Sequence, residues 1–199
     1  MKFKSNRKEA IKKINQGLIR GLDAAAIHYQ GKVKQTLNQR GSNRSGPGGP
    51  SAPGQPPAKQ SGALGRSAQV DRSKNKGKRP KVRIGTNLPY APIQEFGGTI
   101  NAKGRALAVP IHPDAKRASQ QGRGARSFSD LWMLKRPGKA PLLMRSKEKM
   151  TDLMYALVKR VVLPARPAWR PTLKREAKTM TALIRRGVRV ALRGPGGAA

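Results

Sequence analysis

Residues 7–38 read RKEAIKKINQGLIRGLDAAAIHYQGKVKQTLN. Apolar side chains fall at Ile11, Ile14, Leu18, Leu22, Ala25, Tyr29, Val33 and Leu37, spacings of three and four that trace one face of an α-helix. The stretch therefore reads as one long N-terminal helix. Ser5 or Asn6 is placed to cap its start, and Gly41, which opens a Gly/Pro tract, to end it. At ~1.5 Å per residue such a rod is about 45–50 Å long, more than a small globule needs, so part of it is expected to meet another subunit. Gly17, Gly21 and Gly31 interrupt the rod. Each costs up to about 1 kcal/mol relative to Ala, and a second helix approaching closely is one reason to keep them.

Outward from that helix the texture changes. Residues 41–57, GSNRSGPGGPSAPGQPP, have almost nothing to bury and no Gly-X-Y period, and read as a flexible excursion. Residues 71–81 gather Lys74, Lys76, Lys78, Arg79 and Lys81, which suit either a solvated hairpin tip or a phosphate-contacting loop. From Val82 short β-like pieces follow: 82–86, then 98–100 and 106–111 flanking an NAKGR turn, then 131–134 and 141–144 around RPGKA. Residues 154–163 suit strand better than helix because of their β-branched end before Pro164, and the polar 113–127 reads as a loop. Pro171 marks the start of a last helix, with Leu173, Ala177, Met180, Ile184, Val188 and Ala191 at helical spacing. Residues 194–199 read as a flexible tail. Helix, strands, helix is the order of an α+β fold, and a single domain over 1–199 is expected, with both helices packed on one face of an antiparallel β-sheet.

The chain has 199 residues and a formal charge of +34, from 43 Lys+Arg against 9 Asp+Glu. The charge is spread evenly, at +8, +8, +10 and +8 for residues 1–40, 41–81, 82–165 and 166–199. An even spread speaks for a whole body that sits in a negative environment, nucleic acid or acidic protein, over a basic headpiece on a neutral body. The absence of Cys excludes disulfides, zinc ribbons and thiol nucleophiles. No apolar run is long enough for a membrane span, and MKFKSNRKEA has no apolar core of an export signal, so neither is expected.

Catalytic material is scarce. Ser73 to Lys76 fits S-x-x-K, a pattern that 43 basic residues produce readily by chance. His28 and His112 each lack a second ligand at i+4, and GRGAR (122–126) lacks the strand and helix flanks of a phosphate loop. No enzyme, cofactor or metal site is therefore expected. Zinc ligands, leucine heptads and helix-turn-helix spacing are also missing, which leaves sequence-independent attraction to phosphates. Besides the basic loop, Arg185, Arg186 and Arg189 on the last helix are the candidate contacts for DNA or an acidic partner. That helix is basic and amphipathic; covering a sheet is the plainer use of such a helix than lying on a membrane surface.

Three stretches in fixed order resemble a known family. PPAKQSGALGRSA (56–68), IGTNLPYAPIQEFGGTI (84–100) and LVKRVVLPARPAWRPTL (157–173) are similar to the proline-T/S-G-x-L-x-x-S, N-x-P-Y-A-x-x-x-E-F-G and P-A-R-P-F-L-x-P-A elements of phage tail-completion proteins of the neck and virion-morphogenesis families. Ala168-Trp169 stands where Phe-Leu is usual, and the proline-rich excursion is longer than in that pattern. The motif residues Tyr90, Glu95, Phe96, Gly97, Gly98, Arg166, Pro167, Trp169, Arg170 and Pro171 become candidates for structural or subunit-interface roles. By residue type, Tyr90 is expected to bury its ring, Glu95 to fix Arg166 or Arg170, and Gly97 and Gly98 to turn the chain between two strands. Pro167 and Pro171 are expected to hold the segment extended and then set the first helical φ.

The resemblance implies a structural virion protein that completes the head-proximal end of a tail, as a ring of copies of itself, commonly six. Its implied partners are the head connector, the tail tube or terminator proteins, and double-stranded DNA passing nearby without sequence specificity. Its implied location is the virion, assembled in the bacterial host cytoplasm. The other reading that composition leaves open is a free basic nucleic-acid-binding protein, in packaging or beside ribosomes.

Overall fold

The structure, a computed structural model, describes residues 6–39, 51–59, 61–77, 79–145 and 152–193. In chain order the elements are α1 (Arg7–Leu37), α2 (Ala63–Arg66), β1 (Gln69–Asp71), β2 (Arg83–Gly85), α3 (Ala91–Phe96), β3 (Gly98–Asn101) and β4 (Leu107–Pro110). There follow α4 (Pro113–Gln120), a 3-10 turn at Ala125–Ser127, β5 (Trp132–Leu134), β6 (Leu142–Met144), β7 (Leu153–Val158), β8 (Arg160–Leu163) and α5 (Trp169–Arg193). The class is α+β: the two long helices pack on each other, and the strands form small antiparallel sheets. The chain divides into two compact units, one from residues 1–96 with 165–199 and one from residues 97–164.

In the first unit α1 and α5 run antiparallel, with Gly17 against Val188, Gly21 against Ile184 and His28 against Glu176. Two glycines of α1 and one of α5 set their separation. A Cβ at Gly17 would lie 2.7 Å from the Gly187 carbonyl oxygen, one at Gly21 2.8 Å from Ile184 Cα, and one at Gly187 2.6 Å from the Gly17 carbonyl oxygen. Backbones this close exclude every side chain, so these glycines repay their poor helix propensity. Gly31 meets nothing within 4 Å. Further along, Tyr29, Val33, Leu37 and Ala168 form the buried core, with Leu64, Ile84, Trp169 and Met180 packed around it.

The start and end of α1 differ in detail from the sequence expectation. Asn6 holds the N-cap position without a side-chain cap bond, and the helix stops at Leu37, before Gly41. Ser5, Gly41 and most of the 41–57 excursion lie outside the described residues, as do residues 194–199. On α5 the face that meets α1 is offset at its beginning. Thr172 and Glu176 are buried, whereas Leu173 is 47% exposed and Ala177 is exposed. The polar pair is taken in because it is satisfied: Thr172 Oγ1 lies 3.3 Å from Thr36 Oγ1, and Glu176 Oε2 lies 2.8 Å from His28 Nε2. The hydrogen bond to His28 is the main reason the Glu176 carboxyl is held below its ordinary range. From Met180 onward the expected stripe holds, with Ile184, Val188 and Ala191 at least partly covered.

The basic loop is a hairpin tip. β1 and β2 pair antiparallel, with Val70 opposite Ile84, and the Lys81 N–H donates to the Lys74 carbonyl at 3.0 Å.

In the second unit β4-β7-β6-β5 form an antiparallel sheet, and β3 pairs with β8. The hairpin expected around RPGKA forms as β5 with β6. The one expected around NAKGR does not. Asn101 pairs with Arg160 and Leu107 with Val158, so residues 102–106 stand as an outward excursion opposite the single residue Lys159. The reason lies in residues 153–163, which are extended over almost their whole length and offer one edge long enough for both β3 and β4.

The reading of 113–127 as a loop is corrected by α4. His112 Nδ1 accepts from the Asp114 N–H at 3.2 Å, Pro113 occupies the first turn, and Ala115 and Ala118 are buried. Eight residues with two alanines carry almost no periodic signal; their helix is written in its cap. Ala115, Met154 and Tyr155 make this unit's core, with Phe128 edge-on to Tyr155 at 6.2 Å.

The glycine contact gives a paired prediction. Gly187→Ala should destabilise the protein by about 1–3 kcal/mol through overpacking. Gly31→Ala should stabilise it by up to about 1 kcal/mol. Urea unfolding of the two variants checks this; equal effects would contradict the packing described.

Candidate assembly and polyanion-contact surfaces

Of the residues that carry the family resemblance, Glu95, Phe96, Trp169 and Arg170 meet at the start of α5. A helix begins with four N–H groups that have no partner inside it. At α5 these belong to Ala168, Trp169 and Arg170, while Pro171, at the next position, has no N–H to satisfy. Glu95, at the end of α3, supplies the acceptors. Its Oε2 accepts from the Ala168 N–H at 2.8 Å and the Trp169 N–H at 3.1 Å, and its Oε1 from the Arg170 N–H at 2.9 Å. The carboxylate is only 8% exposed and sits at the positive end of the helix dipole.

This corrects the expectation that Glu95 fixes an arginine. The Arg166 N–H donates to the Gln94 carbonyl at 2.7 Å, and its Nε to the Ser51 carbonyl at 3.0 Å. The Arg170 guanidinium lies 4.2 Å from the centroid of the Phe96 ring. Pro171 follows the first two helical residues, so it does not open the helix. Pro167 sits in the extended run before it.

The aromatic residues divide. Tyr29 donates its hydroxyl to the Trp169 carbonyl at 2.9 Å, and the two rings lie 6.4 Å apart at 60°. Burial, and then the charge of Glu95, push the Tyr29 hydroxyl up to about 12. Tyr90, expected to be buried, is 42% exposed, and Phe96 is 55% exposed. With Leu173, Phe96 lines an apolar cleft of about 410 Å³ beside Trp169. Gly97 and Gly98 do take positive φ, 70° and 149°, but between a helix and a strand.

The expected cationic contacts are exposed. Lys74, Lys76, Arg79 and Lys81 lie on the hairpin tip, and Lys78 lies outside the described residues. The tip is anchored by a residue that composition hides. The buried Asn75 side chain donates to the Ile19 carbonyl at 3.1 Å and to Asp23 Oδ1 at 2.9 Å, and Arg72 pairs with Asp23 at 3.2 Å. Arg185, Arg186 and Arg189 line a shallow groove on the outer side of α5 with Lys178 and Arg193, and no ion pair involves them among the described residues. Ser73, of the S-x-x-K match, gives its N–H to Asp71 Oδ1 at 2.8 Å. Among the described residues no three acidic, His or Cys side chains gather as a metal would require, and no helix is long and apolar enough to cross a membrane.

Comparison with protein-family models, with curated proteins and with solved structures finds no match to this chain.

Sequence reasoning missed four positions that hold this unit together: Ser51, Asn75, Glu176 and Gly187. Gly187 was legible in principle, since it continues the 180-184-188-191 stripe as a small residue beside it. The other three are polar side chains whose burial depends on partners far away in the chain.

Two predictions follow the Glu95 geometry. Glu95→Ala leaves three N–H groups without acceptors and should cost roughly 2–4 kcal/mol in urea unfolding. For Tyr29 the folded chain holds its proton to higher pH than the unfolded one, so its contribution is complete below pH 10.0 and is lost as pH rises towards about 12. Stability measured from pH 9 to 12 should therefore fall less steeply in Tyr29→Phe than in the wild type.

Proposed function

We propose that the chain is a non-enzymatic structural protein of a phage neck, completing the head-proximal end of the tail and joining it to the head connector as a ring through which DNA passes. One observation carries the reading: the three stretches that resemble tail-completion proteins, far apart in sequence, converge on the Glu95 joint. Ser67 Oγ lies 2.6 Å from Thr86 Oγ1, and Arg166 binds Gln94 and Ser51. Glu95 closes the joint by capping α5. The residues most distinctive of the motif are thus those that fix the strand-to-helix passage in space.

Two surfaces support assembly. Ile11, Ile14, Val190 and Leu192 leave apolar side chains exposed towards one end of the helix pair, and Tyr90, Phe96 and Leu173 leave others exposed near the opposite end. Patches at two ends suit head-to-tail contacts, which form a ring when the rotation between copies closes. A ring of +34 subunits requires a compensating anion, and DNA in the passage or an acidic connector supplies it. Copies of itself, the connector, tail tube or terminator proteins and double-stranded DNA are the partners, and the virion, assembled in the host cytoplasm, is the location.

The competing reading, a free nucleic-acid-binding protein, draws on the unpaired cations of α5 and the hairpin tip. Native mass measurement separates the two. A closed oligomer that persists at 150 mM salt, where duplex binding has vanished, is expected; a monomer at every concentration that binds duplex tightly at that salt overturns the neck assignment. Arg185→Glu with Arg186→Glu should leave thermal melting nearly unchanged and lower the log-log salt slope of low-salt duplex binding by about 2.

A further inference from the structure

We propose that a pocket in the first unit, between α2 and the Arg166 segment, binds a phosphate group. The cavity has a volume of about 260 Å³ and is lined by Ser51, Lys59, Ser61, Gly62, Tyr90 and Arg166 among others, with no carboxylate in its wall. Two cations, Lys59 and Arg166, stand in that wall, and Arg66 lies beside it at Gly62. A Cβ at Gly62 would meet Arg66 Nη1 at 3.1 Å and Lys59 Cε at 3.2 Å, and Gly62 has φ +71°, so the space between those side chains is kept open by a residue that only glycine fills comfortably.

Both guanidinium groups are fixed by main chain. Arg66 Nη1 donates to the Ser61 carbonyl at 2.9 Å and Arg166 Nε to the Ser51 carbonyl at 3.0 Å. Among the described residues the Nη groups of Arg166 make no hydrogen bond, and their charge remains available. Ser51 is only 3% exposed, and among the described residues its Oγ has no partner. A buried hydroxyl without a partner is costly, and here it lies in the wall of a cationic pocket. Ser61 Oγ accepts from the Ala63 N–H at 3.3 Å, which leaves its own proton to give. Ammonium, guanidinium and hydroxyl donors together outnumber what the two oxygens of a carboxylate accept. They match the three or four oxygens of a phosphate.

This inference stands independently of the neck reading. Titration calorimetry of the full chain with inorganic phosphate, at ionic strength held constant with chloride, should show one saturable site per chain. Lys59→Gln and Ser51→Ala, each with unchanged thermal melting in the absence of phosphate, should weaken it, Lys59→Gln by about tenfold for the loss of a charge-assisted hydrogen bond. Lys116→Gln, an exposed cation in the second unit, should leave it unchanged. A short duplex with a 5′ phosphate and its unphosphorylated twin separate two sources of the group. Displacement of inorganic phosphate by the first alone assigns the pocket to a nucleic-acid end, and displacement by neither assigns it to free phosphate. Displacement by both alike, equal affinity in Lys59→Gln and the wild type, or acetate binding as tightly as phosphate would overturn the proposal.

Discussion

The grip of the Glu95 carboxylate on the first three N–H groups of α5 ties the end of α3 to residues more than seventy positions later in the chain. Through it, α5 acquires a fixed origin and a fixed rotation about its axis. Much else in the first unit follows from that origin. It turns Thr172 and Glu176 inward towards α1, leaves Leu173 outward beside Phe96, and sets Gly187 where Gly17 and Gly21 can receive it. A carboxylate withdrawn from water is stable only when its acceptors are filled, and here each oxygen has at least one backbone donor. The electrostatic setting adds to this, because a chain of +34 offers every buried anion a favourable field.

Polar pairs continue what the cap begins. His28 with Glu176, Thr36 with Thr172, and Arg175 with Glu176 line the junction of the two helices nearest the cap, while glycines line the junction farther away. One end of the helix pair is thus specified by hydrogen bonding and the other by shape. In the second unit the comparable device is the length of residues 153–163, which supply partners to two successive strands and leave residues 102–106 to loop outward.

Periodicity made the long elements legible. The eight apolar positions from Ile11 to Leu37 announced α1 almost to its last residue, and the short apolar runs on either side of RPGKA announced β5 and β6. What stayed hidden was decided by partners distant in sequence. No local signal distinguishes Thr172 from Leu173 as the inward residue when the deciding contact is Thr36, 136 positions earlier. Glu95 was legible as a lone acid among cations, yet its acceptors turned to backbone N–H groups, which a reading of side chains does not weigh. The helix at α4 escaped because its information lies in His112, Pro113 and Asp114, a cap without a stripe. At the candidate surfaces, the described cations named on the tip and on α5 are exposed, whereas the Asn75 anchor beneath the tip carries no local signal.

Three glycines that interlock at the crossing of α1 and α5 also make that joint a detent. Sliding α5 by a single turn, roughly 5.4 Å, would carry Leu183 or Ala191 into the place of Gly187. Neither fits there, since a Cβ at that place lies 2.6 Å from the Gly17 carbonyl oxygen. At that crossing the register of the two helices is accordingly held by main chain against main chain, and axial sliding is blocked there.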